Sequence, residues 1–106
     1  MFGRIVSMRL KPNTQAEFTQ TFEREIVPTL RKQQGFKDEL LFVVPSGTEA
    51  VSISLWDSKE SAETYHRATY PDLLKMVTKS IEGTPEVRTF DVASSTFHKI
   101  AARVAA

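Results

Sequence analysis

The stretch that decides the fold is FKDELLFVVPSGTEAVSISLW, residues 36–56. Its first part, about 36–44, has a continuous apolar centre at residues 40–44, and the proline, serine and glycine of residues 45–48 favour a turn. In the second part, about 49–56, side chains alternate between two faces, one with Val51, Ile53 and Leu55 and the other with Ser52, Ser54 and Trp56. The stretch therefore predicts a β-hairpin formed by the second and third strands.

A strand and a helix are predicted before the hairpin. Residues 2–10 are rich in apolar residues and form the first strand, and the pattern Thr14-Gln-Ala-Glu17 predicts a capping box that opens the first helix. Pro28 is expected to kink the helix or split it near Ile26, and Gly35 to end it. One apolar stripe at a spacing of four residues comprises Phe18, Phe22, Ile26 and Leu30.

A second helix and a fourth strand are predicted after the hairpin. A capping-box pattern at residues 57–60 opens the helix, Pro71 interrupts it, and a second segment continues to Ile81. Residues 83–85 (Gly-Thr-Pro) are expected to end the helix, and the fourth strand runs from about 86 to 94. The full order is β-α-β-β-α-β, which is typical of the α+β ferredoxin-like fold with a four-stranded antiparallel sheet.

The second strand is apolar on both faces, and this predicts a partner. Right-handed crossovers place both helices on one face of the sheet, whereas Leu40 and Phe42 point away from Leu41 and Val43. An uncovered apolar sheet face is rarely tolerated on a monomer. We therefore expect a two-fold homodimer in which two sheets pack into a dimeric α+β barrel.

Composition narrows the classes of protein. The chain has 106 residues, which predicts one domain over residues 1–106 with a C-terminal tail from about 96. It has no cysteine, two histidines and a net charge of +1, so disulfides, cysteine-ligated zinc and nucleic-acid binding are not expected. Neither a signal peptide nor a membrane-spanning run is recognised, and the expected location is the cytoplasm.

Several residues resemble a known family. Gly35-Phe36, and then Trp56 followed by Ser58, Glu60 and Ala62, match the pattern of antibiotic-biosynthesis-monooxygenase-like proteins around the second strand and the second helix. The resemblance implies a dimeric α+β barrel. Members of that family include cofactor-free oxygenases of polycyclic phenols, haem-degrading enzymes and proteins with no assigned activity.

The haem-degrading branch is disfavoured by the residues present. Those enzymes carry an Asn on the first strand and a Trp and an iron-ligating His on the second helix. Here Tyr65 and Lys75 fall at the two helical positions, and the first strand offers no asparagine. We therefore expect no haem, metal or other cofactor.

The candidate catalytic residues are His66 and Tyr65. An imidazole that titrates near neutral pH suits removal of a proton from a phenol, which must ionise before it can reduce O₂. Tyr65 can donate a hydrogen bond to a developing oxyanion. The structural alternatives are a half-exposed helix residue for His66 and a packing role for Tyr65.

The candidate substrate-binding residues are Trp56, Ser54, Arg9 and Tyr70. Small serines beside the indole of Trp56 leave room for a flat ligand, and an arginine can anchor an anion. Packing in the core is the alternative for Trp56 and Tyr70. For Arg4 and Arg9, which fall on opposite faces of the first strand, the alternative is an ion pair with Asp91, Glu39 or an acid of a second subunit.

Two functions remain open from the sequence. One is a small cofactor-independent monooxygenase acting on an aromatic or polyphenolic substrate, which requires Tyr65, His66 and Trp56 to converge on one cavity. The other is a non-catalytic module on the same dimeric barrel that binds a small molecule or mediates association. An open cavity beside the second helix would favour the first, and a cavity filled by side chains the second.

Overall fold

The computed structural model describes residues 1–98. Four strands form one antiparallel sheet in the order β2-β3-β1-β4. The strands are β1 (Phe2–Leu10), β2 (Phe36–Val43), β3 (Glu49–Trp56) and β4 (Ile81–Asp91). The predicted hairpin and the α+β ferredoxin-like fold are confirmed.

The helices cover one face of the sheet. The helical elements are α1 (Gln15–Thr21), a π-helical turn (Phe22–Ile26), α2 (Val27–Arg31), α3 (Lys59–Ala68), α4 (Tyr70–Val77) and a 3₁₀ turn (Thr78–Ser80). Among residues 1–98, no helix is both long and apolar enough to cross a bilayer.

Pro71 interrupts the second helical region, as predicted, whereas the first region stays helical over residues 15–31 and only its helix type changes where the split was expected. Pro28 cannot donate a backbone hydrogen bond, and the helix changes from the π-helical turn to α2 at Ile26. Pro71 stands in the first turn of α4, where a missing N–H is tolerated, and α3 ends before it at Ala68. The stripe of Phe18, Phe22, Ile26 and Leu30 is buried against the sheet.

Both predicted capping boxes are wrong. The Thr14 hydroxyl makes no cap to α1 and instead donates to the Lys11 carbonyl at 2.7 Å, because the chain turns tightly after β1. The N-cap of α3 is Ser58, whose Oγ accepts a hydrogen bond from the backbone N–H of Ser61 at 3.2 Å.

The predicted start of the fourth strand is also wrong. β4 begins at Ile81, which the sequence pattern places in the second helix, and residues 83–85 lie inside the strand. Pro85 is tolerated because β4 is an edge strand, and Gly83, with a φ of +67°, lies where the register with β1 shifts. The strand therefore spans Ile81–Asp91 instead of about 86–94.

The face of the sheet opposite the helices stays partly exposed. We call it the open sheet face; its apolar members are Ile5, Leu40, Phe42, Val51, Ile53, Leu55 and Phe90. Phe42 is 55% exposed, Leu40 45% and Phe90 39%.

The chain beyond β4 turns back across one end of the sheet. The Val92 N–H donates to the Met1 carbonyl at 2.9 Å, and His98 pairs with Asp38 on β2. This segment leaves Leu40 and Phe42 exposed. Of the predicted tail, residues 99–106 lie outside the described residues.

Candidate functional site

A small cavity lies between the helices and the sheet. It holds about 40 Å³ of space for water centres, which is enough for ordered water and less than the roughly 150 Å³ that accommodates benzene. Its apolar walls are Val6, Met8, Phe18, Phe22, Ile26, Leu30, Leu73, Leu74 and Val77. Its polar lining is Arg4, Glu39, Ser52, Ser54, Tyr65 and Tyr70.

A polar row crosses the helix-facing side of the sheet beneath this cavity. Arg4 on β1 pairs with Ser54 on β3, and Ser54 pairs in turn with Glu39 on β2. Neighbouring strands are about 4.8 Å apart, so the backbones of Arg4 and Glu39 are separated by about 10 Å. The fold therefore places a cation and an acid on either side of one serine, under a layer of apolar helices.

Arg4 is the most constrained member of the row. The residue is 3% exposed, and its Nη2 donates to His66 Nδ1 at 2.9 Å. Its guanidinium carbon lies 4.1 Å from the Tyr70 ring centroid and 5.2 Å from that of Tyr65, which is cation–π geometry. Burial lowers the pKa of Arg4, yet an arginine stays charged in proteins.

The ion pair considered for Arg4 is not formed. Within residues 1–98, no carboxylate lies in salt-bridge range of its guanidinium, because Glu39 is two strands away and the imidazole and phenol rings occupy the nearer space. Arg4 is thus a buried charge held by a neutral imidazole and two aromatic faces.

His66 lies on the far side of Arg4, outside the cavity. It lines an open groove of about 330 Å³ together with Lys59, Glu63 and Arg67, and Arg4 forms the partition between groove and cavity. The imidazole stacks on the Tyr70 ring at 5.3 Å and 18°. Because Nδ1 accepts from Arg4, the neutral ring carries its proton on Nε2. Burial, followed by the charges of Arg4 and Arg67, lowers the pKa of His66.

Tyr65 and Tyr70 do line the cavity. Burial raises the pKa of both phenols, so both hydroxyls are protonated donors at neutral pH. Tyr65 is buried and its ring stacks on Trp56 with centroids 4.8 Å apart at 29°. The two tyrosines form the roof above the guanidinium.

Trp56, Ser54 and Arg9 occupy three different environments. Trp56 is fully buried, donates its indole N–H to Ser54 Oγ at 2.9 Å and supports Tyr65 from behind, without lining the cavity. Ser54 lines the cavity in the polar row. Arg9 is exposed at the other end of β1, on the side opposite Arg4, in a separate surface groove.

Glu39 and Arg4 line the cavity but were not among the candidate site residues from the sequence, since the substrate-binding arginine was expected to be Arg9. The role expected of Glu39 from the sequence is only that of an ion-pair partner for Arg4 or Arg9. Its Oε1 accepts a hydrogen bond from Ser52 Oγ at 2.6 Å, whereas its buried Oε2 has no partner among residues 1–98. Burial raises its pKa from 4.5 to about 8, against smaller opposing effects of Ser52 and Arg4. The sequence does indicate this position, because residues two apart in a strand point to the same side. Glu39 therefore shares the helix-facing side of β2 with Leu41 and Val43.

The described residues offer no recognisable metal site. Among residues 1–98, no three His, Asp or Glu side chains are clustered suitably to hold a metal ion. Lys75, at the position of the iron ligand in the haem-degrading enzymes, is exposed and pairs with Asp72 at 4.0 Å.

The family follows from the sequence. The sequence model for antibiotic biosynthesis monooxygenase matches residues 1–90. The chain belongs to this family. The resemblance noted at Gly35-Phe36 and from Trp56 to Ala62 is confirmed by that match. No match was found among curated proteins.

Solved structures share the fold of this antibiotic biosynthesis monooxygenase family member. A monooxygenase from ActVA-Orf6 of Streptomyces coelicolor, in complex with nanaomycin D, has a TM-score of 0.72 and 18% identity, covering 84% of each chain. SnoaB, a cofactor-independent oxygenase from Streptomyces nogalater, has a TM-score of 0.74 and 15% identity, covering 90% of this chain and 95% of its own. A protein of unknown function from Nitrosomonas europaea has a TM-score of 0.72 and 11% identity, covering 99% and 94%. At these identities the likeness establishes the fold.

The raised pKa of Glu39 predicts an unusual dependence of stability on pH. Between about pH 4.5 and pH 8, Glu39 binds more protons in the folded protein than in the unfolded chain. Its contribution to the free energy of unfolding therefore falls as pH rises. Wild type should lose at most about 4 kcal/mol from this source between pH 5 and pH 9. Glu39→Gln, which cannot ionise, should remove that slope in urea unfolding measured at pH 5, 7 and 9.

The matched control is Glu60→Gln on the exposed side of α3. It should keep the wild-type slope. Equal slopes in wild type and Glu39→Gln would show that Glu39 does not titrate abnormally.

Proposed function

We propose that this protein is a small oxygenase that uses O₂ without a bound cofactor to oxidise an aromatic or polyphenolic substrate. The convergence of Tyr65, His66 and Trp56 expected from the sequence is not present, because His66 and Trp56 do not line the cavity. The observation that carries the proposal is instead the convergence of Arg4, Glu39, Tyr65 and Tyr70 on one apolar cavity. An apolar site with a few convergent polar groups suits a flat aromatic ligand. The family match and the oxygenase neighbours give further support.

The proposed reaction creates negative charge on the substrate, which a nearby cation would stabilise. A phenol must first lose its O–H proton, after which the electron-rich phenolate can transfer electrons to O₂. With a dihydroxynaphthalene, one O₂ is consumed, one oxygen atom enters the ring and the other leaves as water, giving a hydroxynaphthoquinone. The negative charge formed on the substrate oxygen is the charge that the site must stabilise.

Arg4 supplies that stabilisation in the proposal. Its guanidinium is buried and fixed in place, so it needs little reorganisation when the phenolate forms. The Tyr65 and Tyr70 hydroxyls and Ser54 are further hydrogen-bond donors beside the cavity. In this scheme His66 and Trp56 are positioning residues, since the first holds Arg4 and the second supports the Tyr65 ring.

The cavity must widen before a ring can enter. About 40 Å³ accommodates water only, and Tyr70 and Leu74 are the half-buried residues among its helical lining. The π-helical turn of Phe22–Ile26 contributes two wall residues, and such turns are frequent at functional sites. Movement of this helical layer is therefore part of the proposal.

The same small volume supports a second candidate function. A family member whose cavity stays filled by side chains would be a non-catalytic binding or association module on the same fold. If 1-naphthol in excess does not enter the cavity, which then stays empty or holds only water, that alternative is favoured.

We also propose that the protein is a homodimer joined through the open sheet face. Exposed Leu40 and Phe42 and half-buried Val51 and Ile53 form a contiguous apolar surface that a second copy would cover. Two such sheets packed face to face would form the dimeric α+β barrel expected from the sequence.

Removing the Arg4 charge should slow turnover strongly. Arg4→Met should lower kcat for oxidation of a dihydroxynaphthalene by about 100-fold, the effect expected for losing one oxyanion-stabilising donor. O₂ uptake and quinone absorbance, corrected for oxidation without protein, measure it. Near-UV circular dichroism of the variant verifies that the aromatic packing survives.

The control is Arg9→Met, on the same strand but exposed and remote from the cavity. Its turnover should equal wild type. Turnover retained in Arg4→Met, or lost equally in both variants, would contradict the role of Arg4.

Charging the open sheet face should separate the subunits. Phe42→Asp replaces a large apolar side chain with a carboxylate that the interface cannot solvate, and dimerisation should weaken at least about 100-fold. Sedimentation velocity at micromolar concentration should give a dimer for wild type and a monomer for the variant.

Met76→Asp is the matched control, because Met76 is 40% exposed on α4, in the helical layer. It should remain dimeric. A monomeric wild type, or a Phe42→Asp protein that is as dimeric as wild type, would refute the interface.

A further inference from the structure

The proposed oxidation needs a group that takes the substrate's hydroxyl proton. Within the described part of the chain, Glu39 is the one carboxylate that lines the cavity. The Tyr65 and Tyr70 phenols are protonated, Arg4 is a donor, and His66 lies outside with its Nδ1 already bonded to Arg4.

We propose that Glu39 is the general base of the reaction and that its Oε2 receives the phenolic proton. This inference rests on the proposed oxygenase function. The substrate O–H bond breaks, the proton forms an O–H bond on Oε2, and the electron pair stays on the substrate oxygen. The net charge of the cavity is unchanged, because the negative charge moves from the carboxylate to the substrate.

The hydrogen bonds of the carboxyl group support this assignment. Ser52 Oγ donates to Oε1 at 2.6 Å, which holds one of the two carboxyl oxygens in place. Within the part of the chain that the structure describes, Oε2 is buried without a hydrogen-bond partner, although a buried carboxylate oxygen is normally satisfied. A phenolic hydroxyl entering the cavity would supply the missing donor.

The position of Arg4 also fits a base at Glu39. One serine separates the two residues in the polar row, so they are close enough to attract each other and too far apart to form an ion pair. Glu39 therefore keeps a proton affinity suited to deprotonating a phenol, while Arg4 faces the charge that results.

The pH profile distinguishes Glu39 from His66. The active form is the carboxylate, and burial raises the pKa of Glu39 to about 8. For one such group, kcat/KM for a dihydroxynaphthalene should rise by about 25-fold between pH 6.5 and pH 8.5. Glu39→Gln should be at least about 100-fold slower at pH 8.5 and lose this rise. His66→Asn should still show the rise of kcat/KM between pH 6.5 and pH 8.5.

Ser52→Ala distinguishes a general base at Glu39 from a purely structural Glu39, because only a base would transmit a change in its pKa to the pH profile of kcat/KM. The Ser52 hydrogen bond lowers the pKa of Glu39, so its removal should shift the inflection of the profile to higher pH. An unchanged profile in Glu39→Gln with turnover preserved would overturn the inference and leave the oxygenase function standing.

An independent arm uses binding of 1-naphthol as the probe. In protein labelled with ¹³C at glutamate side-chain carboxyls, the resonance absent from Glu39→Gln should titrate with a midpoint near 8. Bound 1-naphthol should lower that midpoint, because its hydroxyl donates to the carboxylate form. A midpoint that 1-naphthol leaves unchanged would overturn the inference whatever the turnover. A shifted midpoint in a protein without turnover would reject the oxygenase function and reduce Glu39 to a ligand-binding residue.

Discussion

The burial of a guanidinium on the central strand β1 is the constraint on which the rest of the site depends. A buried charge is costly unless it is paired, and the usual partner is a carboxylate. This protein instead surrounds Arg4 with the neutral imidazole of His66 and the faces of Tyr65 and Tyr70. The positive charge is therefore held in place without being neutralised, and it remains available to an anion that forms in the cavity.

Glu39 is a second ionisable group whose charged form is disfavoured by burial. Its carboxyl group is buried on the same side of the sheet, with one hydrogen bond from Ser52 and no direct contact with Arg4. Burial outweighs the attraction of the cation, so the acid is largely protonated at neutral pH. Burial lowers the pKa of Arg4 and raises that of Glu39, and both residues line one small apolar cavity. Shifted pKa values of this kind are frequent at functional sites.

The two faces of β2 connect the cavity with the open sheet face. Glu39 and Leu41 point toward the helices, whereas Leu40 and Phe42 point away from them. A shift in register by one residue would move Glu39 out of the cavity and place it on the open sheet face. The alternation of this strand therefore serves both the proposed chemistry and the proposed association.

Much of the fold was predictable because its signals are local. The alternation of residues 49–56, the stripe from Phe18 to Leu30 and the interruption at Pro71 each reflect one element, and each is present in the structure. The start of β4 was not predictable locally, since Ile81 continues a helical pattern and becomes a strand residue only by pairing with Leu10. The contact of Arg4 with His66 joins residues 62 apart, which no spacing rule indicates. Glu39 could have been selected by its parity with Leu41, but its raised pKa depends on packing by the helices.

A double-mutant cycle on Arg4 and Glu39, measured by urea unfolding at pH 9 and at pH 6, tests the central claim most directly. It compares wild type, Arg4→Met, Glu39→Gln and the double variant. At pH 9, where Glu39 is ionised, the two residues should be coupled by about 1–2 kcal/mol across the cavity. At pH 6, where it is protonated, the coupling should fall below about 0.5 kcal/mol. Additive effects at both pH values would show that the cation and the acid do not share one site.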